Sequence, residues 1–240
     1  MDCNIKKLKE YIDAYDNIVF LGGAGVSTES GIPDFRSADG LYSQKYPYPP
    51  EYMLSHTFFV KHTQEFFDFY REKMIPPASV KPNAAHEYLA YLEERGKLKA
   101  VITQNIDGLH QAAGSKNVLE LHGSVWRNYC ARCGKFYETD AGAKGVPRCP
   151  CGGIIKPDVV LYEEGLDGGT LESAIKYISE ASLLIIGGTS LVVYPAAGLV
   201  RYFRGNKLVI INKAPTGYDD DADLVISCGI AKVFESIREA

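Results

Sequence analysis

The sequence predicts an α/β fold, a doubly wound Rossmann-like parallel sheet into which a small second domain is inserted. Three features predict it: short apolar runs recur along the chain, each run ends in small or polar residues, and helical patterns lie between the runs. Strands of a parallel sheet are apolar throughout because helices cover both faces. Alternating strands and helices therefore indicate a sheet with a helical layer on each side.

The strands of this sheet are predicted at residues 18–21, 100–103, 183–186, 208–211 and 224–227. Helical patterns cover residues 84–95 and 171–179. A further amphipathic helix is predicted before the first strand, with one apolar side made of Ile5, Leu8, Tyr11 and Ile12. The order of these elements favours the doubly wound arrangement.

The composition and charge of the chain disfavour several classes of function. With 240 residues, 46% of them hydrophobic, the chain can bury a substantial core. Its 26 basic and 30 acidic side chains give a net charge of -4 and form no basic tract, so we expect no direct binding to nucleic acid or to a membrane surface. No apolar run reaches the roughly 18 residues of a membrane span, and the N-terminus lacks the apolar core of a signal peptide. We therefore expect a cytoplasmic protein.

Two segments do not fit the alternation and are predicted to form the small domain. Residues 37–80 are rich in Tyr, Phe and Pro, and the stretch TFFVKHTQEFFDFYREKM within them is predicted to be one helix with a broad aromatic face. Residues 128–155 contain four of the six cysteines. The Rossmann-like domain is then expected to comprise residues 1–36, 81–127 and 156–240.

The stretch GGAGVS follows the first predicted strand and suits a pyrophosphate group. Glycines let the backbone approach a phosphate closely, and a helix N-terminus would present N–H groups to it. The dinucleotide pattern G-x-G-x-x-G is met at Gly23 and Gly25 but fails at Thr28, and no acidic residue ends a second strand about 20 residues later. An ordinary hydride-transfer enzyme is therefore disfavoured, and a tight turn without a ligand is the alternative.

Two further loops carry polar residues. In a doubly wound sheet the carboxyl ends of the strands face one crevice, so we expect these loops to meet the glycine turn there. The loop after the glycine turn holds Asp34, Phe35 and Arg36, and an arginine can pair with phosphate through its planar fork. A carboxylate, an aromatic ring and a guanidinium side by side favour a ligand-binding loop over a purely structural one. The stretch QNIDGLH follows the second predicted strand, where Asn105 and Asp107 either contact a ligand or only cap the following helix.

Among the five histidines, His122 has the placement of a catalyst. It follows the short apolar stretch 118–121 and precedes Gly123, which suits a ring held at a strand end facing the crevice. An imidazole with an ordinary pKa near 6.5 is a natural general base. His56 and His62 fall in the aromatic segment and are interpreted as structural.

Four cysteines form two close pairs, Cys130 with Cys133 and Cys149 with Cys151. Four thiolates at this spacing indicate a tetrahedral structural zinc ribbon in the small domain, with no position left for water. The second pair, Cys-Pro-Cys, is one residue shorter than the usual knuckle. A redox role for the C-x-x-C pair is the alternative. We expect the metal to hold the small domain together and to take no part in the chemistry.

With these residues in place, the chain strongly resembles the sirtuins of the bacterial type, which are NAD-dependent protein-lysine deacylases. The resemblance rests on GAGVSTESGIPDFRS at 23–37, TQNIDGLH at 103–110, LHGS at 121–124, the four cysteines, GTSLVVYPA at 188–196 and INK at 211–213. Such an ordered set of motifs, which runs over nearly the whole chain, is highly specific. It implies that the glycine turn holds NAD as a consumed substrate, which is why the hydride-transfer pattern fits badly.

The resemblance also assigns roles to individual residues. NAD is implied to contact Gly23, Ala24, Gly25, Thr28, Asp34, Phe35, Arg36, Gln104, Ile106, Asp107, Gly188, Thr189, Ser190, Asn212, Lys213, Cys228 and Ile230. Within this set, Phe35, Ile106 and Asp107 would form the nicotinamide pocket. Asn105 would act beside the nicotinamide ribose, and His122 would be the general base.

The implied reaction transfers an acyl group from a lysine side chain to ADP-ribose. The acyl carbonyl oxygen attacks the ribose carbon as nicotinamide leaves, and His122 then deprotonates a ribose hydroxyl, which attacks the resulting imidate. Lysine, nicotinamide and O-acetyl-ADP-ribose are the products of deacetylation. The acyl-lysine protein or peptide is implied to bind as an added strand beside Val159, Val160, Tyr162 and Val193. The family usually shows Phe-Gly-Glu where this chain has VVLYEEG.

The sequence favours a neutral acyl group. The desuccinylating branch of the family carries a Tyr and an Arg three residues apart on the small-domain helix, and the aligned positions here are Phe67 and Tyr70, with Arg71 one position further on. Without that Arg a buried acyl carboxylate would lack a partner, and unpaired burial of a charge is costly. We expect a deacetylase; a preference for longer neutral acyl groups, mono-ADP-ribosyl transfer to protein and a non-catalytic NAD-binding module are the alternatives.

Overall fold

The computed structural model describes residues 3–35, 40–140 and 142–239. In chain order its strands are β1 (Ile18–Gly22), β2 (Leu98–Thr103), β3 (Val118–Glu120), β4 (Gly123–Cys130), β5 (Phe136–Glu138), β6 (Ile155–Val159), β7 (Leu183–Gly187), β8 (Lys207–Ile211) and β9 (Leu224–Ile226). Its α-helices are α1 (Cys3–Ala14), α2 (Pro50–Met53), α3 (His56–Lys61), α4 (Thr63–Lys73), α5 (Ala84–Glu94), α6 (Leu109–Ala112), α7 (Gly168–Glu180) and α8 (Ile230–Arg238). In this part of the chain no helix is both long and apolar enough to cross a bilayer.

A six-stranded parallel sheet forms the larger part of the fold, with the strand order β3-β2-β1-β7-β8-β9. The chain builds outwards from β1 in one direction and then, from β7, in the other. Ligands bind in doubly wound sheets at the carboxyl ends of the strands, where this direction reverses. The expected crevice therefore lies between the ends of β1 and β7.

Helices cover both faces of this sheet, which confirms the predicted fold class. Along β1, alternate residues point to opposite faces: Phe20 packs in the layer with Leu89 of α5 and Phe234 of α8, whereas Leu21 packs with Ile178 of α7. Both layers are apolar, so every residue of β1 and of β7 is buried. The continuous apolar runs seen in the sequence follow from this double cover.

The aromatic stretch forms two helices, α3 and α4, and the prediction of one continuous helix is wrong. The chain leaves helical geometry at His62, which has φ -129° and ψ 48°. The rings of Phe59 and Phe66 meet with centroids 5.1 Å apart. Seven residues of a straight helix rise about 10 Å, so these rings could not touch in that way without the break. Packing of the aromatic cluster therefore decides the local structure.

A three-stranded antiparallel sheet, with the order β5-β4-β6, forms the second unit of structure. Its strands run from residue 123 to residue 159, beyond the limits of 128 and 155 expected for the cysteine-containing segment. β4 has neither a continuous apolar run nor a strict alternation of buried and exposed residues, which is why it was not foreseen. The division into two domains stays a prediction.

The turns that follow β1 and β7 approach each other backbone to backbone. The Gly25 N–H donates to the carbonyl oxygen of Gly188 at 2.8 Å. A Cβ atom added to Gly188 would lie 2.3 Å from the backbone nitrogen of Val26, and one added to Gly25 would lie 2.8 Å from the Gly188 Cα. Gly188 also has a φ of 58°, in the left-handed region that favours glycine. Side chains are therefore excluded from both positions.

The substitution Gly188→Ala should destabilise the protein strongly. The left-handed backbone costs an alanine about 1 to 2 kcal/mol, and overpacking against rigid backbone adds about 1 to 3 kcal/mol. Gly31→Ala is the matched control, because Gly31 has a φ of 91° but nothing lies within 4 Å of an added Cβ. Urea unfolding should show the larger loss of unfolding free energy for Gly188→Ala. Equal losses would mean that crowding against the β1 turn is unimportant.

Candidate active site and metal centre

The glycine turn after β1 lies at the switch point of the sheet, where the order in which strands are added reverses. The Gly23 N–H donates to the carbonyl oxygen of Gly187, at the end of β7, at 3.2 Å. Two short 3-10 turns, Ala24–Val26 and Thr28–Ser30, follow where a helix was expected. The prediction of a helix N-terminus at this turn is wrong, because the glycines serve first to pack two turns closely together.

Three other predicted nucleotide residues are Ala24 and Thr28, which begin the two 3-10 turns, and Ser190, in the loop after β7. Ala24 and Thr28 are half-buried, and the Thr28 hydroxyl donates to the carbonyl oxygen of Gly25 at 3.1 Å. Ser190, the residue after Thr189, is exposed. None of the three belongs to the apolar layers, so each is placed at the border of the crevice.

Hydrogen bonds tie the ends of neighbouring strands into one row. The Gln104 N–H donates to the Gly22 carbonyl oxygen at 3.0 Å, and its side-chain amide donates to Thr189 Oγ1 at 3.1 Å. On the other side, the Gly188 N–H donates to the Ile211 carbonyl oxygen at 3.0 Å. The loops after β1, β2, β7 and β8 therefore line one continuous edge of the sheet.

The residues implied to hold the adenosine half of NAD follow β8 and β9. Asn212 and Lys213 come directly after β8, and the Asn212 N–H donates to the Ile226 carbonyl oxygen at 3.1 Å. Cys228 is half-buried in the loop before α8. The side chain of Ile230 is 2% exposed and belongs to the core. Only the backbone of Ile230 is therefore suited to contact a ligand.

A buried polar network occupies the loop after β2. The Ser27 hydroxyl donates to Asp107 Oδ2 at 2.7 Å and accepts from Asn105 Nδ2 at 3.0 Å. The Leu109 N–H donates to Asp107 Oδ1 at 2.9 Å. Burial raises the pKa of Asp107 above its ordinary value, and the two donated hydrogen bonds oppose that rise. The Asp107 carboxylate thus accepts from the first N–H of the short helix α6, whose N-cap is Gly108, while the network fixes this carboxylate in one place.

Sequence reasoning missed Ser27 as a member of the site. Its side chain is 1% exposed and contacts both Asn105 and Asp107. A buried hydroxyl needs partners, but the sequence does not show that this serine is buried. Its position directly after the glycine turn was the one available signal.

His122 lies between the two sheets, after β3 and immediately before β4. Its Nδ1 is 3.0 Å from the carbonyl oxygen of Gln104. A carbonyl oxygen only accepts hydrogen bonds, so Nδ1 carries the proton of the neutral ring and Nε2 keeps its lone pair. Burial lowers the pKa of His122 below its ordinary value of 6.5, and the Gln104 carbonyl partly opposes that effect. The ring is thus held in the neutral form that a general base needs.

Two of the predicted nicotinamide residues lie against the apolar cluster formed by the aromatic helices and by Val125 and Val159 of the small sheet. Phe35 and Ile106 are half-buried and pack against this same cluster. The Ile106 carbonyl oxygen accepts from the Val125 N–H of β4 at 3.0 Å. Asp34 is half-buried directly before Phe35. Arg36 lies outside the described residues.

The segment predicted to bind peptide runs beside His122. β6 ends at Val159, which pairs with Gly123 of β4. The next residue, Val160, donates its N–H to the carbonyl oxygen of His122 at 3.0 Å. Backbone hydrogen bonds therefore hold this edge and the imidazole in a fixed relation.

β6 ends at Val159 and does not extend to Tyr162, although the resemblance implied that the peptide strand would lie beside both residues. The Tyr162 N–H donates to the Leu54 carbonyl oxygen, and its carbonyl oxygen accepts from the His56 N–H, each at 3.0 Å. Leu54 and His56 thus occupy the N–H and the carbonyl oxygen of Tyr162. Only the side chain of Tyr162, which is 37% exposed, is left to contact a peptide. Val193 is half-buried in a loop before the 3-10 turn Ala196–Tyr202 and belongs to no strand.

Four cysteine sulfur atoms lie together beyond the end of β4. The Sγ atoms of Cys130, Cys133, Cys149 and Cys151 are all within 4.8 Å of one another. Cys130 and Cys151 are 3.4 Å apart, and Cys133 and Cys149 are 3.7 Å apart. Zinc bound to four thiolates at about 2.3 Å separates the sulfurs by about 3.8 Å. The cluster therefore fits a tetrahedral zinc ion, and the short Cys-Pro-Cys knuckle reaches it.

Hydrogen bonds to the sulfur atoms also fit a zinc site. The Tyr137 hydroxyl donates to Cys149 Sγ at 3.0 Å and holds the pKa of Cys149 below its ordinary value. The Arg132 N–H donates to Cys130 Sγ at 3.4 Å. Metal ligands of this kind are thiolates, and donors around them favour the ionised form.

Comparison with known proteins places these features in one family. A family model described as the Sir2 family matches residues 23–195. The chain belongs to the Sir2 family. An NAD-dependent protein deacetylase of Clostridium acetobutylicum is 63% identical to it in an alignment of 239 positions that covers 97% of each chain. A protein of the same name from Clostridium perfringens is 62% identical in an alignment of 243 positions that covers 99% of each chain.

Solved Sir2 structures share the fold over almost the whole chain. A Sir2 structure with a deacetylated p53 peptide and 3'-O-acetyl ADP ribose is 43% identical, with a TM-score of 0.90 and 98% of both chains covered. A Sir2 structure with a p53 peptide and NAD+ is 42% identical, with a TM-score of 0.84, and covers 98% of this chain and 97% of that one. This Sir2-family chain thus carries its crevice, its imidazole and its four cysteines on a fold common to these relatives.

The substitution Cys130→Ser in this Sir2-family chain should release zinc and loosen the small sheet. Cys130 is the last residue of β4, and a serine hydroxyl is a poor zinc ligand. Metal analysis should find about one zinc per wild-type chain and far less in the variant. Cys3→Ser is the control, because Cys3 is exposed and stands outside the cluster. Stoichiometric zinc in Cys130→Ser protein would contradict the zinc ribbon.

Proposed function

We propose that this chain is an NAD-dependent protein-lysine deacetylase that transfers the acetyl group to ADP-ribose and releases nicotinamide. The observation that carries the proposal is the position of His122. Its Nδ1 bonds to the carbonyl of Gln104, whose side chain reaches Thr189 in the nucleotide crevice. Its own carbonyl accepts from Val160 at the peptide edge. A base that bridges the two substrate regions suits a reaction between an acyl-lysine and a nucleotide.

Bound NAD would supply an ADP-ribose group as the acceptor of the acetyl group. In the balanced reaction, acetyl-lysine, NAD and one water molecule give lysine, nicotinamide and O-acetyl-ADP-ribose. The protein must therefore hold the nicotinamide, keep other water from the activated sugar and remove a proton from a ribose hydroxyl. The described residues include candidates for each task.

Asp107 is proposed to bind the nicotinamide carboxamide. A carboxylate accepts hydrogen bonds from an amide NH2 group, and Ser27 and Leu109 hold this carboxylate in position. Phe35 and Ile106 would cover the sugar with apolar surface, and exclusion of water suppresses hydrolysis of an activated sugar. Asn105, held by Ser27, is proposed to orient the ribose.

His122 is proposed as the general base that deprotonates the ribose hydroxyl. Its Nδ1 proton is occupied with the Gln104 carbonyl, so Nε2 is the atom that can accept a proton. The lowered pKa of His122 keeps the ring neutral at physiological pH. Proton transfer to a positioned side chain of this kind contributes about 100- to 10,000-fold to a rate.

The phosphates and the adenosine are proposed to bind along the same edge of the sheet. The glycine turn, Thr28 and Thr189 would contact the phosphates, and Asn212, Lys213 and the backbone after β9 would contact the adenosine. The support for this placement is the row of strand ends at the switch point, where nucleotides bind in doubly wound sheets. A cytoplasmic location remains a proposal from the sequence.

The acyl group is proposed to be neutral. Phe67 and Tyr70 are 3% and 2% exposed, and neither carries a charge. The Arg71 Nη2 donates to the Gly145 carbonyl oxygen at 2.6 Å, and its guanidinium carbon lies 5.1 Å from the centroid of the Phe67 ring. The Nη2 of Arg71 is thus engaged, whereas its Nη1 is buried without a hydrogen-bond partner. The proposal therefore rests on Phe67 and Tyr70, neither of which offers a cation to a buried acyl carboxylate.

Mass spectrometry should test this function with purified protein, NAD and matched acetyl-, butyryl- and succinyl-lysine peptides. We expect deacylated acetyl peptide together with an equal amount of O-acetyl-ADP-ribose, and no reaction of the succinyl peptide. A faster reaction of the butyryl peptide would establish a preference for longer neutral acyl groups. Unchanged peptides alongside ADP-ribosylated protein would make mono-ADP-ribosyl transfer the function instead.

The substitution His122→Ala should preserve NAD and peptide binding but abolish product formation, because it removes only the proposed base. In the wild-type protein the imidazole gains a proton below 6.5, so kcat/KM should stay constant near neutral pH and fall only at lower pH. A pH series of kcat/KM and calorimetric binding to the variant would measure both effects. An acid limb centred above 6.5, or full turnover by His122→Ala, would remove His122 from this role.

A further inference from the structure

Trp126 is the single tryptophan of the chain and lies on β4, in the small sheet. Its indole N–H donates to the backbone carbonyl oxygen of Asp107 at 2.7 Å. We propose that Trp126 is a positioning residue, which holds the Asp107 loop in the geometry that binds nicotinamide. This inference rests on the proposed function, because it assigns the nicotinamide contact to Asp107.

Two consecutive residues of β4 bind two consecutive carbonyl groups of the loop. The Val125 N–H donates to the Ile106 carbonyl oxygen at 3.0 Å, and the Trp126 indole donates to that of Asp107. The first bond uses a backbone N–H, which every residue except proline possesses. The second uses the indole N–H, which the long side chain of Trp126 carries beyond the backbone of the strand. The main-chain carbonyl of Asp107 is therefore tied to β4 by the tryptophan side chain at this position.

The indole also lies directly against the residue that follows Asp107. Gly108 has a φ of 75°, and a Cβ atom added to it would lie 2.9 Å from both Cδ1 and Nε1 of Trp126. The edge of the ring thus rests on the bare backbone of Gly108. Ser27 and Leu109 fix the carboxylate of Asp107, and Trp126 fixes its main chain.

The ring of Trp126 is not needed to fill the core. It is 42% exposed and, with Pro76, Leu109 and Asp107, lines a cavity of about 220 Å³. Because much of the ring is exposed, it contributes less to core packing than a fully buried tryptophan would. Loss of the indole N–H should therefore leave the fold intact and release the Asp107 carbonyl.

A released Asp107 loop would bind nicotinamide less well. The carboxylate moves with its main chain, so its hydrogen bonds to the carboxamide would lengthen both in bound NAD and in the product. The peptide edge is fixed separately, through Val160 and His122. The KM for NAD and the inhibition constant for nicotinamide should therefore rise together, and the KM for acetyl peptide should stay the same.

Because the chain has a single tryptophan, a tryptophan analogue enters the protein at one position. Expression in a tryptophan auxotroph supplied with 3-benzothienylalanine replaces the indole N–H by sulfur at position 126 alone and keeps the ring shape. Trp126→Phe is a second variant that lacks the N–H. Tyr129→Phe is the control, because Tyr129 is a 39% exposed aromatic residue of the same strand.

Both Trp126 variants should raise the nicotinamide inhibition constant and the KM for NAD roughly three- to tenfold, the effect of losing one hydrogen bond. The peptide KM, the melting temperature and the Tyr129→Phe protein should be unchanged. An unchanged inhibition constant in an active benzothienyl protein would overturn the positioning role, as would a fall in melting temperature without a change in either constant. Wild-type protein with no deacylase activity would overturn the proposed function, and this inference with it.

Discussion

The close approach of the two glycine turns, one after β1 and one after β7, is the constraint on which the site depends. Gly25 and Gly188 meet backbone to backbone, with no room for a side chain between them. This contact brings the ends of two central strands so near that Gln104, from the next strand, reaches Thr189 across them. The polar loops are positioned by these turns, because the Ser27 hydroxyl that organises Asn105 and Asp107 follows the first of them directly.

The small sheet closes the site from the other side. His122 is followed by Gly123, where an added Cβ would lie 2.0 Å from the Asp158 carbonyl oxygen, so the strand that starts there must pass very close to β6. Arg127 of β4 donates to Glu120 of β3 at 2.7 Å and to Asp158 of β6 at 2.8 Å. This partly exposed arginine adds little stability by itself, but it joins the two sheets on either side of the imidazole.

Much of the fold could be predicted because its central strands are buried on both faces and therefore read as apolar runs. The polar loops after them were recognisable for the same reason, and the resemblance to the sirtuins supplied the nucleotide residues that composition and periodicity cannot name. Contacts that depend on tertiary packing were not predictable. Ser27 and Trp126 are single residues without a periodic pattern, and the break at His62 exists because Phe59 must meet Phe66, which no local propensity indicates.

Gln104 belongs to both halves of the site, since its side chain donates to Thr189 and its carbonyl accepts from His122. A ligand that moved the Gln104 carbonyl would therefore change the proton affinity of the imidazole. Thermodynamic reciprocity requires that protonation of His122 change the affinity for that ligand by the same factor. A nucleotide that displaced Gln104 would thus be linked to the proton through one residue, and the acid response of the protein would then depend on its nucleotide occupancy as well as on its histidine.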